Sequence, residues 1–113
     1  MQPVLLKIYG SLYPATPAQA ASLKKIAERG LSSCQETPPV SLEGDLLKIS
    51  FEGIYFPVDD FMNEIKKFLT SDQQGKVDVL DLEAWTLGRH QFADGEIISS
   101  SAPLNNVLDY SGF

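Results

Sequence analysis

The chain has 113 residues, 15 of them Asp or Glu against 9 Lys or Arg, for a formal net charge of −6. Apolar residues at 43% and charged residues at 21% lie in the globular range, away from the low-hydrophobicity compositions that stay disordered, and the length supports one modest core. One small domain over residues 1–113 is expected. A pI near 4.6 argues against direct nucleic-acid binding, which needs clustered Lys and Arg to displace counterions from phosphates. The single cysteine, Cys34, rules out an internal disulfide, and with one histidine, His90, it cannot build a multi-His or Cys/His zinc cage.

Val4-Leu5-Leu6-Lys7-Ile8-Tyr9 reads as a buried strand ending at Gly10-Ser11. Its apolar run is broken by Lys7 and lacks a basic leader or cleavage site, so it is neither a secretory signal nor a membrane span, and a cytoplasmic location is the default expectation. Thr16-Pro17-Ala18-Gln19 then places a hydroxyl at an N-cap, proline at the first helical position and glutamine at N3, the pattern of a capping box. The helix it opens is expected to reach Arg29, bury Leu23, Ile26 and Ala27, and stop at Gly30. Ser32 to Pro39, holding Cys34 and Pro38-Pro39, reads as a loop.

Val40-Ser41-Leu42 and Asp45 to Glu52 flank Glu43-Gly44 as a short hairpin, and Leu47, Ile49 and Phe51 alternate with Lys48, Ser50 and Glu52 at the two-residue period of a half-buried strand. From Val58 to Leu69 a stripe of Val58, Phe61, Met62, Ile65, Phe68 and Leu69 predicts an amphipathic helix, its first turn acidic and its last basic. A strand-like segment extends from Lys76 to Phe92, where the apolar phase of Val77 and Val79 gives way to Leu80, Leu82 and Ala84. A β-bulge near Leu80 would reconcile the two halves. Asp94-Gly95 predicts a tight turn into a strand from Glu96 to Ser100. Ala102-Pro103 with Leu104, Val107 and Leu108 suggests a short terminal helix, followed by a Tyr110 to Phe113 tail.

These elements predict an α+β two-layer sandwich, a four- to five-stranded mostly antiparallel sheet with two helices on one face. Their order is compatible with a ferredoxin-like split βαβ arrangement, which by itself carries no function.

The chemistry-bearing residues concentrate between Asp78 and His90. In one regular strand Asp81, Glu83, Trp85 and Arg89 would share a face, with Asp78 and His90 on the other. Two carboxylates beside a guanidinium suit acid–base work or a hard cation; the plainer reading is a solvated face with cross-strand ion pairs and Trp85 packed over them. Cys34 and His90 form the only conceivable thiol–imidazole pair, without a local signature to support it. Glycines are scattered and form no phosphate-binding loop, and Ser99-Ser100-Ser101 lacks a nucleophile elbow. Aromatic residues, among them Tyr55 and Trp85, exceed what a small core obviously buries and suit an interface; the plainer reading is that they fill the core and its rim.

The leading expectation is a small non-catalytic binding or accessory protein that contacts another protein, or a second copy of itself through a free sheet edge. One alternative is a small enzyme or metal-dependent module built on Asp81, Glu83 and Arg89 with His90 as base; a second is an acidic inhibitor of a nucleic-acid-binding protein. Candidate binding residues are Tyr55, Asp81, Glu83, Trp85, Arg89 and His90, with no catalytic residue, metal or cofactor assigned.

Overall fold

The computed structural model describes residues 4–28 and 38–104. Six strands and two helices follow in the order β1 (Leu6–Tyr13), α1 (Pro17–Ala27), β2 (Val40–Glu43), β3 (Leu46–Gly53), α2 (Val58–Phe68), β4 (Gln74–Asp81), β5 (Thr86–Ala93) and β6 (Glu96–Pro103). The strands form one antiparallel sheet in the order β2-β3-β1-β4-β5-β6. β1 and β3 sit between the strands that each helix connects, so the first six elements interleave two βαβ units. Among the described residues no helix is long and apolar enough to cross a membrane.

The sheet has six strands where four or five were expected, because the single strand read from Lys76 to Phe92 is two. It breaks at Leu82–Trp85, where the Asp81 carboxylate accepts the backbone N–H groups of Glu83 (3.1 Å) and Ala84 (2.9 Å) and so folds the chain back. No bulge is needed. Leu80 faces Leu87 across the new hairpin, and Leu82 and Ala84 belong to the turn, which accounts for the slipped apolar phase.

Local chemistry sets the other boundaries. At α1 the Gln19 N–H donates to Thr16 Oγ1 (3.1 Å) and the Thr16 N–H to Gln19 Oε1 (3.0 Å), a complete capping box with Pro17 behind it. The β2–β3 turn falls at Gly44-Asp45, one residue later than the expected Glu43-Gly44, with Gly44 first at φ +62° as a type II′ hairpin requires, and Asp94 and Gly95 at φ +55° and +77° have the two positive φ values of a type I′ turn between β5 and β6. β1 runs through Gly10-Ser11 to Tyr13 instead of ending there. Gly10 is tolerated in mid-strand because a Cβ at this position would press into the Lys76 carbonyl and Val77 of β4. β6 continues to Pro103, past the expected Ser100. The Arg29-Gly30 helix end, the loop around Cys34 and the terminal helix and tail lie outside the described residues, as does any pairing of Cys34 with His90.

Residues paired across an antiparallel ladder share a face. One face carries Ile8 and Leu12, Leu47, Ile49 and Phe51, Val40, Val77 and Phe92; these join Leu23, Ile26 and Ala27 of α1 and Phe61 and Ile65 of α2 in one buried cluster. The Phe51, Phe56 and Phe61 rings pack through it in tilted and edge-to-face contact, with centroids 5.0 and 5.2 Å apart. The other face is open. Ion pairs line it: Lys48 with Glu43 at 3.0 Å, Lys7 with Glu52 at 3.5 Å, and Arg89 with Asp78. The sheet's two borders differ. β2 is four residues long, follows Pro38-Pro39 and carries the Glu43–Lys48 pair; β6 is eight residues long with Glu96 as its only charge.

Candidate functional site

The hairpin between β4 and β5 redistributes the candidate residues. Arg89 lies directly opposite Asp78, donating through Nε (2.8 Å) and Nη2 (3.1 Å) to its two carboxylate oxygens, a bidentate bridge that raises the already high pKa of the guanidinium. Lys76 approaches the same carboxylate at 3.7 Å. Tyr9 pairs with Asp78 from β1 and extends this row on the open face; burial first, then Glu52, pushes its hydroxyl pKa up. Asp81 is occupied by the turn backbone, and Glu83 and Trp85 are exposed in that turn. Arg89 therefore shares a face with Asp78 instead of with Asp81, Glu83 and Trp85. Among the described residues no group of three or more His, Cys, Asp or Glu side chains is placed to hold a metal ion.

His90 points the opposite way, toward the helices. It faces Ser99 across the β5–β6 ladder, with Nδ1 and the Ser99 hydroxyl 2.8 Å apart. Both line a groove of about 530 Å³ against the α2 side chains Val58, Asp59, Met62, Asn63 and Lys66, with Ile97 beside them. The groove exists because the sheet outruns its helices: of the helix-side residues on β5 and β6, Phe92 is buried in the core and Ile97 packs partly against it. Sequence reasoning did not anticipate this groove, since nothing local signals that β5 and β6 extend past α2.

Burial lowers the His90 pKa from 6.5, with Asp78 and Asp59 opposing the shift. A histidine held neutral in the fold binds fewer protons than in the unfolded chain, so its contribution to stability falls as pH drops below about 6.5 and levels off below its folded pKa. Urea titrations between pH 7.5 and 5 are expected to show this loss in the wild type and a shallower one in His90→Gln. Identical slopes would mean that His90 does not carry the dependence.

Tyr55 and Trp85 lie at the same end of the sheet, with β1 and β4 between the strands they adjoin. Gly53, Leu6 and Asp81 are in register there, the Leu5 N–H donates to the Gly53 carbonyl and the Leu82 N–H to the Leu5 carbonyl. The chain ends of β3, β1 and the β4–β5 turn thus sit side by side and display Val4, Ile54, Tyr55 and Trp85, at 39, 46, 60 and 45% exposure. Val4 and Ile54 are the members not named from the sequence; their juxtaposition depends on strand register. Trp85 has a backbone φ of +60°, a left-handed conformation that is sterically costly for a bulky side chain. Glu83 is exposed in the same turn as Trp85, and Glu52 next to Gly53 is paired with Lys7 at 3.5 Å. No protein-family model matches the chain, and no curated protein or solved structure is significantly similar to it.

Proposed function

We propose that this is a non-catalytic protein-binding module that engages its partner through the end of the sheet, with Tyr55 and Trp85 as anchors and Val4 and Ile54 between them. Its first six elements follow the ferredoxin-like order, which hosts many unrelated functions, so the reading rests on the site. The observation that carries it is Trp85: a large aromatic, nearly half exposed, kept at a left-handed turn position where glycine or asparagine is less strained. A binding role would account for that choice, because tryptophan and tyrosine are enriched among the residues that dominate the energetics of protein interfaces. The exposed Glu83 beside Trp85 favours a partner segment that presents an apolar side chain next to a Lys or Arg.

Affinity capture from the chain's own host should recover a protein with the wild type and lose it with Trp85→Gly and with Tyr55→Ala. A loss of at least 2 kcal/mol, about thirtyfold in affinity, is the scale of an interface anchor. Trp85→Gly removes the backbone strain, which offsets the lost ring contacts and the added unfolded-state entropy, so its thermal midpoint should stay close to that of the wild type. A partner retained by both variants, or binding lost only in step with unfolding, refutes the assignment.

A further inference from the structure

We infer that the β6 border pairs antiparallel with the β6 of a second copy of this chain, around a two-fold axis at Ile98, joining the two sheets into one. This surface is separate from the Tyr55–Trp85 end. Among the described residues no strand lies outside β6. The Leu104 N–H donates to the Trp85 carbonyl (3.0 Å), which fixes the phase of the β5–β6 ladder: positions 96, 98, 100 and 102 exchange hydrogen bonds with β5. Ile97, Ser99 and Ser101 therefore turn their N–H and C=O groups outward, a ready template for another strand. Pro103, whose missing N–H would interrupt a ladder, falls beyond the segment needed.

The side chains select both the occupant and the register. Centring the pair on Ile98 lets Ile97 and Ser99 exchange four backbone hydrogen bonds with the partner's Ser99 and Ile97. It also sets Ile98, 57% exposed, against the partner's Ile98 at a close non-hydrogen-bonded position. Ser100 then lies opposite the partner's Glu96. Because Ser100 is paired with Arg89, and Arg89 with Asp78, the row across the open face reads carboxylate, guanidinium, hydroxyl, carboxylate. The one charge on the border thus faces the Ser100 hydroxyl of the other copy, which can donate to it, while Arg89 one strand further in stays bridged to Asp78, and the two copies of Glu96 stay at opposite ends. Shifting the axis to Ser99 gains two backbone hydrogen bonds but sets Ile98 against serine and Glu96 against Ala102, beside Leu87.

Sedimentation equilibrium and native mass spectrometry of the purified chain test this. A species of twice 12.4 kDa is expected. Ile98→Lys places like charges face to face and should weaken the dimer at least about tenfold without unfolding an exposed site. In a Cys34→Ser background, Ile98→Cys should cross-link to itself under mild oxidation faster than Ser99→Cys. A chain that stays monomeric at all concentrations, or a dimer indifferent to Ile98→Lys, overturns the proposal. Faster cross-linking through Ser99→Cys overturns the register. None of these outcomes bears on the Tyr55–Trp85 surface, which capture with Trp85→Gly tests separately.

Discussion

Phe51→Ala is expected to cost about 3–5 kcal/mol, the usual range for removing a buried aromatic ring, and so to consume much of the roughly 5–15 kcal/mol that holds a domain of this size folded. Phe51 is 2% exposed on β3, opposite Ile8 of the neighbouring β1. Its ring stands 5.0 Å from Phe56, which in turn stands 5.2 Å from Phe61 on α2. Truncation therefore opens a void and breaks the aromatic series that ties the sheet to the second helix, and the ring contacts add about 0.5–1.5 kcal/mol beyond simple burial. Urea denaturation should show the midpoint falling with the slope unchanged. Tyr13→Ala, 56% exposed, serves as the control and should stay within about 0.5 kcal/mol of the wild type. A Phe51→Ala midpoint equal to that of Tyr13→Ala would mean that the core is not organised around this ring.

The second large effect is expected at Gln73, a buried polar residue, 3% exposed. Its amide nitrogen donates to the Pro14 carbonyl (2.8 Å) and to Gln19 Oε1 (2.9 Å), while its oxygen accepts the Thr70 N–H (3.0 Å). One side chain thus joins the α2–β4 connection to the capping box of α1, across more than fifty residues of sequence. Gln73→Met keeps the volume but strands those partners, at a cost of about 2–3 kcal/mol. Gln73→Glu should restore only the Thr70 bond, because an ionised carboxylate cannot donate to Pro14 or Gln19. Chemical denaturation of both variants checks the order. If Met proves neutral, water must be satisfying the stranded groups.

The capping box, the two tight turns and the amphipathic stripe of α2 were readable because each is written in neighbouring residues whose chemistry admits few conformations. The turn after Asp81 was not, since Leu82-Glu83-Ala84-Trp85 holds no glycine, proline or asparagine and its organiser is a single carboxylate reaching two residues on. For the same reason the face shared by Asp81, Glu83, Trp85 and Arg89 disappeared: once the chain reverses, Arg89 is matched by register to Asp78. Tyr55 and Trp85 were identifiable as aromatic surplus, but their arrival at one end with Val4 and Ile54 depends on the alignment of β3, β1 and β4, a long-range property. Gln73 gave no signal, because a polar residue between two elements reads as solvent-facing until its partners are known.

The two borders of the sheet are unequally guarded, β2 by its brevity, its prolines and the Glu43–Lys48 pair, and β6 hardly at all. A sheet adhesive on both sides can recruit copies head to tail without end, which is the geometry of a fibre. With one adhesive edge, growth by strand pairing consumes that edge in the first encounter and stops at two. A charge-removing change at Glu43 or Lys48 would therefore threaten solubility far more than its small effect on stability suggests.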